Sequence, residues 1–307
     1  MVTENQLLPY FGKMRLDKIT AEVIEKWFDF MVKKGYKNTY TNGAFAILRV
    51  MLTWAFKKKL ISSNPSMEVT MLVNNKRHLV IITQEEFKAL FVKDWKRVWN
   101  NDRLACIASK LAALTGIRSS EVRGLRGEYV FDGYIHVCTQ YDRYGYRPTK
   151  TKDQRNIPLV PQMIAELREL MAVNGNGYLF SHDGGATPVQ SKYFYKWYKT
   201  ALVNIGIDEK AIKERGLCFH SLRHFCNTEM QKGGLSVQKV QAVTGHKSSR
   251  MTELYSHFNP MELAEVPVIQ EGLLQEKQNS PEKEPDGKQP VILRIVKPEA
   301  EAEKMMA

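Results

Sequence analysis

Four separated stretches of the chain carry residues whose types suit attack on a phosphate. The first is LTGIRSSEVRGL, with Arg118 just past an apolar segment and Gly116 opening a turn before it. The second is PTKTKDQRNIPL, with Lys150 between two strand-like runs. The third is HSLRH, which supplies His220, Arg223 and His224, and the fourth is TGHKSSRMTELYSHF, where His246 follows a glycine and Tyr255 comes nine residues later. Breaking a phosphodiester without a metal needs a nucleophile, cations for the non-bridging oxygens and a proton donor for the departing oxygen. Guanidinium groups stay charged and meet phosphate bidentately. Lysine or histidine can deliver a proton, and tyrosine can attack and hold the phosphate covalently. A phenol with an ordinary pKa of about 10 needs cationic neighbours or a base to attack near neutral pH.

Singly, each stretch has a plainer reading. Arg118 would be a surface arginine, Lys150 a solvated turn lysine, and His220 with Arg223 a pair on one helix face. Tyr255 would be an amphipathic ring at the edge of a core. One phosphoryl-transfer site accounts for all four together. The sequence has no clustered carboxylates of the kind that hold Mg²⁺. The four cysteines, Cys106, Cys138, Cys218 and Cys226, are scattered among apolar neighbours at spacings that fit no zinc module, which predicts buried thiols.

Such residues need elements to hold them. Over 19–34 the residues Ile19, Val23, Ile24, Trp27, Phe28 and Met31 repeat with a helical period, with Thr20 placed as N-cap and Gly35 as stop. A second helix is predicted through residues 40–59, with Phe45, Leu48, Leu52 and Phe56 on its packed face and Lys57, Lys58 and Lys59 at its end, before SSNPS breaks it. Thr83 and Glu86 form a capping box for QEEFKALFVKDW, and RLACIASKLAALTGI is apolar enough for a buried helix. EYVFDGYIHVCTQY and QRNIPLV read as strands joined by the hairpin-like DRYGYRPTKTKD. Helical patterns then dominate, notably 188–204, 221–232, 236–243 and 248–258. From about 266 the composition turns to the Pro, Glu, Lys and Gln of a solvated tail, within which PVILRIVKP is a short apolar strand candidate.

Charge narrows the partner. The chain has 307 residues and a formal net charge of +12. Residues 261–307 hold 10 acidic and 6 basic side chains, so residues 1–260 carry 39 basic against 23 acidic, a net of +16. A globular region this basic favours a polyanion, most often nucleic acid. No apolar run approaches the roughly 20 residues that span a bilayer, and the N-terminus lacks the pattern of a signal peptide. A cytoplasmic protein is expected.

TGIRSSEVRGL, HSLRHFCNTEM and TGHKSSRMTELYSH resemble the three signature boxes of the tyrosine recombinase (phage-type integrase) family, in the family's order. TKTKDQRNIPL resembles its hairpin lysine segment, and the resemblance runs from roughly residue 8 to 260. It implies a two-domain, mainly α fold with a small antiparallel β-sheet in the catalytic domain. Residues 1–72 would form a helical core-binding domain, 73–82 a linker, 83–262 the catalytic domain and 263–307 an acidic, flexible tail. Members that serve mobile elements often carry an arm-binding domain ahead of this unit; the sequence here starts almost directly at the core-binding unit.

Carried over box by box, the resemblance implies that Arg118 and Arg223 clamp the scissile phosphate while Tyr255 attacks it, leaving a 3′-phosphotyrosyl link and a free 5′-hydroxyl. Lys150 would protonate the leaving oxygen, His220 would act as general acid/base toward the tyrosine, and His246 would hydrogen-bond the phosphate. Lys150 and Lys152 face one side of a strand; Lys150, eight residues before Pro158, has the spacing the family lysine shows. Glu121 would support a helix or a basic partner, and His224 would pack behind the site. Lys57, Lys58, Lys59, Lys76, Arg77, Lys247 and Arg250 are candidates for contact with the backbone of double-stranded DNA. The implied assembly is a homotetramer on synapsed DNA, with accessory directionality or bending proteins as further partners. Neither metal, nor ATP, nor any other cofactor is implied. The expected role is integration or excision of a mobile element, with resolution, inversion or relaxation in the manner of a type IB topoisomerase as alternatives.

Overall fold

The structure, a computed structural model, describes residues 2–74, 80–149, 154–245 and 260–275. The chain divides into two compact units, residues 1–79 and 80–307.

The first unit is helical. A short turn, α1 (Leu8–Phe11), precedes α2 (Ala21–Lys33) and α3 (Asn38–Lys57). Thr20 caps α2 as its type predicts, its hydroxyl accepting from the Val23 N–H at 3.3 Å. Ile24, Trp27, Phe28 and Met31 of α2 are buried against Phe45, Leu48 and Leu52 of α3, with the Phe28 and Phe45 rings edge to face at 5.1 Å. The packed face of α3 ends on Ala55, not Phe56, which stays 46% exposed. After Leu48 and Leu52, four residues apart, the next buried position comes three residues on, at Ala55. Val73 and Asn74, expected in a linker, belong to this unit. Asn38 Nδ2 donates to Val73 O and Asn42 Nδ2 to Asn74 Oδ1, while Asn42 also exchanges two hydrogen bonds with the Leu72 backbone.

The second unit begins ahead of residue 83, since Ile82 is buried in its core. Thr83 and Glu86 form the predicted capping box on α4 (Gln84–Lys88). After α5 (Trp95–Val98) comes α6 (Arg103–Thr115), which is buried from Ala105 to Thr115 and therefore sits at the centre. Next are α7 (Ser119–Gly124) and the strands β1 (Val130–Phe131), β2 (Tyr134–Val137), β3 (Thr139–Asp142), β4 (Gly145–Pro148) and β5 (Arg155–Pro158). The strands make two antiparallel sheets, β1-β2-β5 and β3-β4. The stretch read as hairpin-like supplies β4, which pairs with β3 across a turn at Arg143 and Tyr144. In β2 and β5, Ile135 pairs with Ile157 and Val137 with Arg155.

Against α6 pack α8 (Pro161–Asn174), α9 (Ser191–Asn204) and α11 (Ser221–Lys232), while α10 (Glu209–Arg215) packs on α9 and α12 (Val237–Thr244) on α11 and β5. Three cysteines are buried as expected, and Cys218 is half-buried. The expectation that residues 263–307 are a flexible tail is corrected for their first part: Glu265–Leu274 form a helix, α13. Its Val266 and Leu273 enter the core, and Gln270 is buried between segments far apart in sequence. The Gln270 amide donates to Leu114 O and Pro158 O and accepts from the Val160 N–H. An acidic composition hid three inward positions spaced four and three residues apart. Among the described residues no helix is long and apolar enough to cross a membrane.

Candidate functional site: a cluster of guanidinium groups

The site is organised by the turn that ends α6. Gly116 closes that helix with φ +65°, a left-handed conformation that favours glycine. A Cβ there would meet Thr244 Cγ2 at 2.7 Å, so the same glycine lets the ends of α6 and α12 approach. Two residues on, Arg118 occupies the N-cap position of α7 in an extended conformation.

Arg223 comes to this turn from α11. It is 1% exposed, and its Nη1 donates to the Gly116 carbonyl at 2.5 Å. Burial, with Arg118 and Arg155 nearby, lowers its pKa to about 9, which still leaves a cation at neutral pH. His220, N-terminal to the same helix, is partly exposed. Its pKa is nevertheless lowered, first by the protein around it and then by His224, Arg223 and Arg118. The rings of His220 and His224 meet edge to face at 5.1 Å. A neutral imidazole beside cations suits proton acceptance.

Glu121 ties the cluster together. Its Oε2 accepts from the Arg118 backbone N–H at 2.9 Å and its Oε1 from Arg118 Nη1 at 2.9 Å. Arg155 adds Nη1 to Oε1 at 3.2 Å and Nη2 to Oε2 at 2.8 Å. Burial would push this carboxyl up; Arg155 and Arg118 reverse that and hold it at about 2. Arg118 completes its contacts by donating Nη2 to Gly245 O at 2.7 Å, and its side chain stays 39% exposed. One carboxylate therefore balances only part of the charge of three arginines. Such a surplus, partly open to solvent, is chemically suited to an anion that accepts several hydrogen bonds, as phosphate does.

Of the residues singled out by sequence, Arg118, Glu121, His220, Arg223 and His224 are brought together. Lys57, Lys58 and Lys59 are exposed at the end of α3 in the first unit. Lys150, Lys152, His246, Tyr255, Lys247, Arg250, Lys76 and Arg77 lie outside the described residues. Arg155 was missed. Its one sequence signal is parity: it shares a strand face with the fully buried Ile157, and an inward cation requires a buried acid.

The sequence pattern of the phage integrase family matches residues 68–262, and that of the phage integrase N-terminal SAM-like domain matches residues 1–32. The chain belongs to the phage integrase family. The chain is 28% identical over 256 residues to the tyrosine recombinase XerD of Halalkalibacterium halodurans, covering 81% of this chain and 80% of that one. It is 27% identical over 195 residues to the integrase of Enterobacteria phage P4, covering 60% and 42% of the two chains. Its fold is similar to that of the Tn1549 transposon integrase in complex with a circular intermediate DNA, with a TM-score of 0.68 at 17% identity over 87% of this chain and 90% of that one. It is also similar to a lambda integrase tetramer bound to a Holliday junction, with a TM-score of 0.59 at 18% identity over 81% and 68%.

Proposed function

We propose that this member of the phage integrase family is a site-specific DNA recombinase that cleaves and rejoins duplex DNA through a 3′-phosphotyrosyl intermediate. The observation that carries the reading is the convergence of Arg118 and Arg223 on the Gly116 turn, with His220 alongside. The two guanidinium groups would hold the non-bridging oxygens of one phosphate. Tyr255 Oη forms a bond to phosphorus as the bond to O5′ breaks. The phenolic proton passes to His220, and Lys150 supplies a proton to the departing 5′ oxygen. His246 would hydrogen-bond the phosphate. The phosphotyrosine retains the energy of the diester, so religation by a new 5′-hydroxyl needs neither ATP nor metal. Four such sites exchange two duplexes, which supports a homotetramer on DNA, the state in which the lambda integrase relative was captured.

Duplex binding would draw on Lys57, Lys58, Lys59, Lys76 and Arg77, and on Lys247 and Arg250 near the chemistry. Phosphate contacts of this kind fix position without reading sequence, and affinity should fall with salt at a log–log slope of about −0.9 per neutralised phosphate. The similarity to transposon and phage integrases supports integration and excision of a mobile element. The similarity to a recombinase that is not named an integrase supports a second reading, resolution or inversion. The test is incubation with a library of random duplexes, followed by denaturing capture and sequencing of covalently bound ends. A 3′-linked adduct at a recurring sequence is expected. Exchange between two marked copies of that sequence separates recombination from topoisomerase-like relaxation, and no adduct from any duplex would sink the reading.

A further inference from the structure

Arg155 sits where three parts of the site meet. It begins β5, five residues after Lys150 in the sequence. Its side chain is only 8% exposed. Nη1 and Nη2 grip both oxygens of Glu121, and Nε donates to the Val243 carbonyl at 2.7 Å. The flat guanidinium also lies against Gly245, where a Cβ would sit 3.0 Å from Nη1 and 3.1 Å from Cζ. Gly245, at φ +68°, is the last described residue before His246. One side chain thus joins the start of β5, the acid beside Arg118, and the backbone at Val243 and Gly245, next in sequence to His246.

The pattern of donors explains what this arrangement does. Glu121 accepts four hydrogen bonds, two from Arg118 and two from Arg155. A carboxylate has about four acceptor positions, so it is saturated. Arg118 consequently gives Glu121 one guanidinium N–H, not a two-bond fork. Among the described residues its Nε and remaining N–H groups have no partner, and the side chain is part-exposed. Removing Arg155 would vacate two acceptor positions beside Arg118. A carboxylate and a guanidinium at this distance close into a bidentate pair. The cation proposed to hold the phosphate would then turn inward.

We propose that Arg155 is a positioning residue: by saturating Glu121 and packing against Gly245 it keeps the unpartnered N–H groups of Arg118 available to the phosphate. The inference rests on the recombinase reading for its purpose, but the placement of Arg118 is measurable without DNA. Phenylglyoxal labels accessible guanidinium groups, and peptide mass spectrometry reads Arg118 alone. Arg155→Gln should lower Arg118 labelling by about 5-fold or more, as expected for a group newly held in charge-assisted hydrogen bonds. Adding Glu121→Gln to that variant should restore it, because the competing carboxylate is gone. A residue that only stabilised the fold would give no such rescue. Arg155→Lys keeps the charge but not the fork, and should show the same loss and rescue to a smaller extent.

On a duplex recovered by covalent capture, the same variants should lose and regain the single-turnover rate of adduct formation by roughly 10-fold or more, with DNA affinity unchanged. Unchanged Arg118 labelling in either soluble variant, or a double variant worse than Arg155→Gln alone, overturns the inference. Because the labelling needs no DNA, its result stands apart from whether an adduct forms.

Discussion

Arg223 hydrogen-bonds the carbonyl of Gly116 at 2.5 Å, so the arginine from one signature box is anchored to the turn that presents the arginine of another. The two cations are therefore positioned by one structural device. Loss of either should affect the chemistry more than the binding.

Arg118→Ala or Arg223→Ala should slow adduct formation at least about 100-fold, since one preorganised donor to a transition-state oxygen is worth roughly 3–4 kcal/mol. Duplex affinity in a gel-shift assay should stay within a few-fold. Arg223→Ala should also lower Tm, because it empties a buried position, whereas Arg118→Ala should not. Equal loss of binding and cleavage would assign these residues to general DNA affinity.

Tyr255→Phe should bind duplex and form no covalent species on denaturing gels. Lys150→Ala should lose cleavage of ordinary DNA and recover on a substrate with a better 5′ leaving group. Full activity of that variant, with Lys152→Ala inactive, would transfer the role two residues along.

Gly116→Ala tests the turn itself. The new Cβ meets Thr244 Cγ2 at 2.7 Å in a backbone conformation unfavourable to alanine, so a loss of about 1–3 kcal/mol is expected from denaturant titration. Thr244→Ser removes that methyl and should recover part of the loss. A Gly116→Ala protein of unchanged stability would show that α6 and α12 do not approach in this way.

The acid limb of stability should run through Glu121. Its pKa of about 2 in the folded protein lies below the ordinary 4.5, so the unfolded chain binds more protons as pH falls. The stabilisation is fully present above about 4.5 and is lost as pH drops toward 2, amounting to on the order of 3 kcal/mol. Glu121→Gln should therefore be less stable than the wild type at pH 7, and the difference should shrink between pH 4.5 and 2. A gap that stays constant with pH would mean the carboxylate charge contributes nothing.

Gln270→Leu should destabilise the second unit by roughly 1–3 kcal/mol, because Val160 N–H and the Leu114 and Pro158 carbonyls lose a buried partner. Thermal unfolding measures this directly. No change would indicate that α13 is not docked on α6 in solution.

Much of the site was legible before any coordinates. Arg118, His220 and Arg223 stand in short motifs, and the Thr83–Glu86 capping box and the Thr20 cap are local patterns spanning a single turn of chain. The placement of Phe56 failed because a helical period leaves adjacent positions at the edge of a face nearly equivalent. The docked α13 escaped notice because three inward residues in ten are a faint signal within an acidic, proline-bearing stretch.

Residue types and local spacing determined the helices, the charge surplus and the chemistry the chain can attempt, since caps and periodicities act over three or four residues. Tertiary structure alone decided that Arg155 reaches Glu121 across 34 residues and that Arg118 reaches Gly245 across 127. Such pairings depend on how buried helices and strands pack, and a buried acid takes whichever cations the packing places beside it.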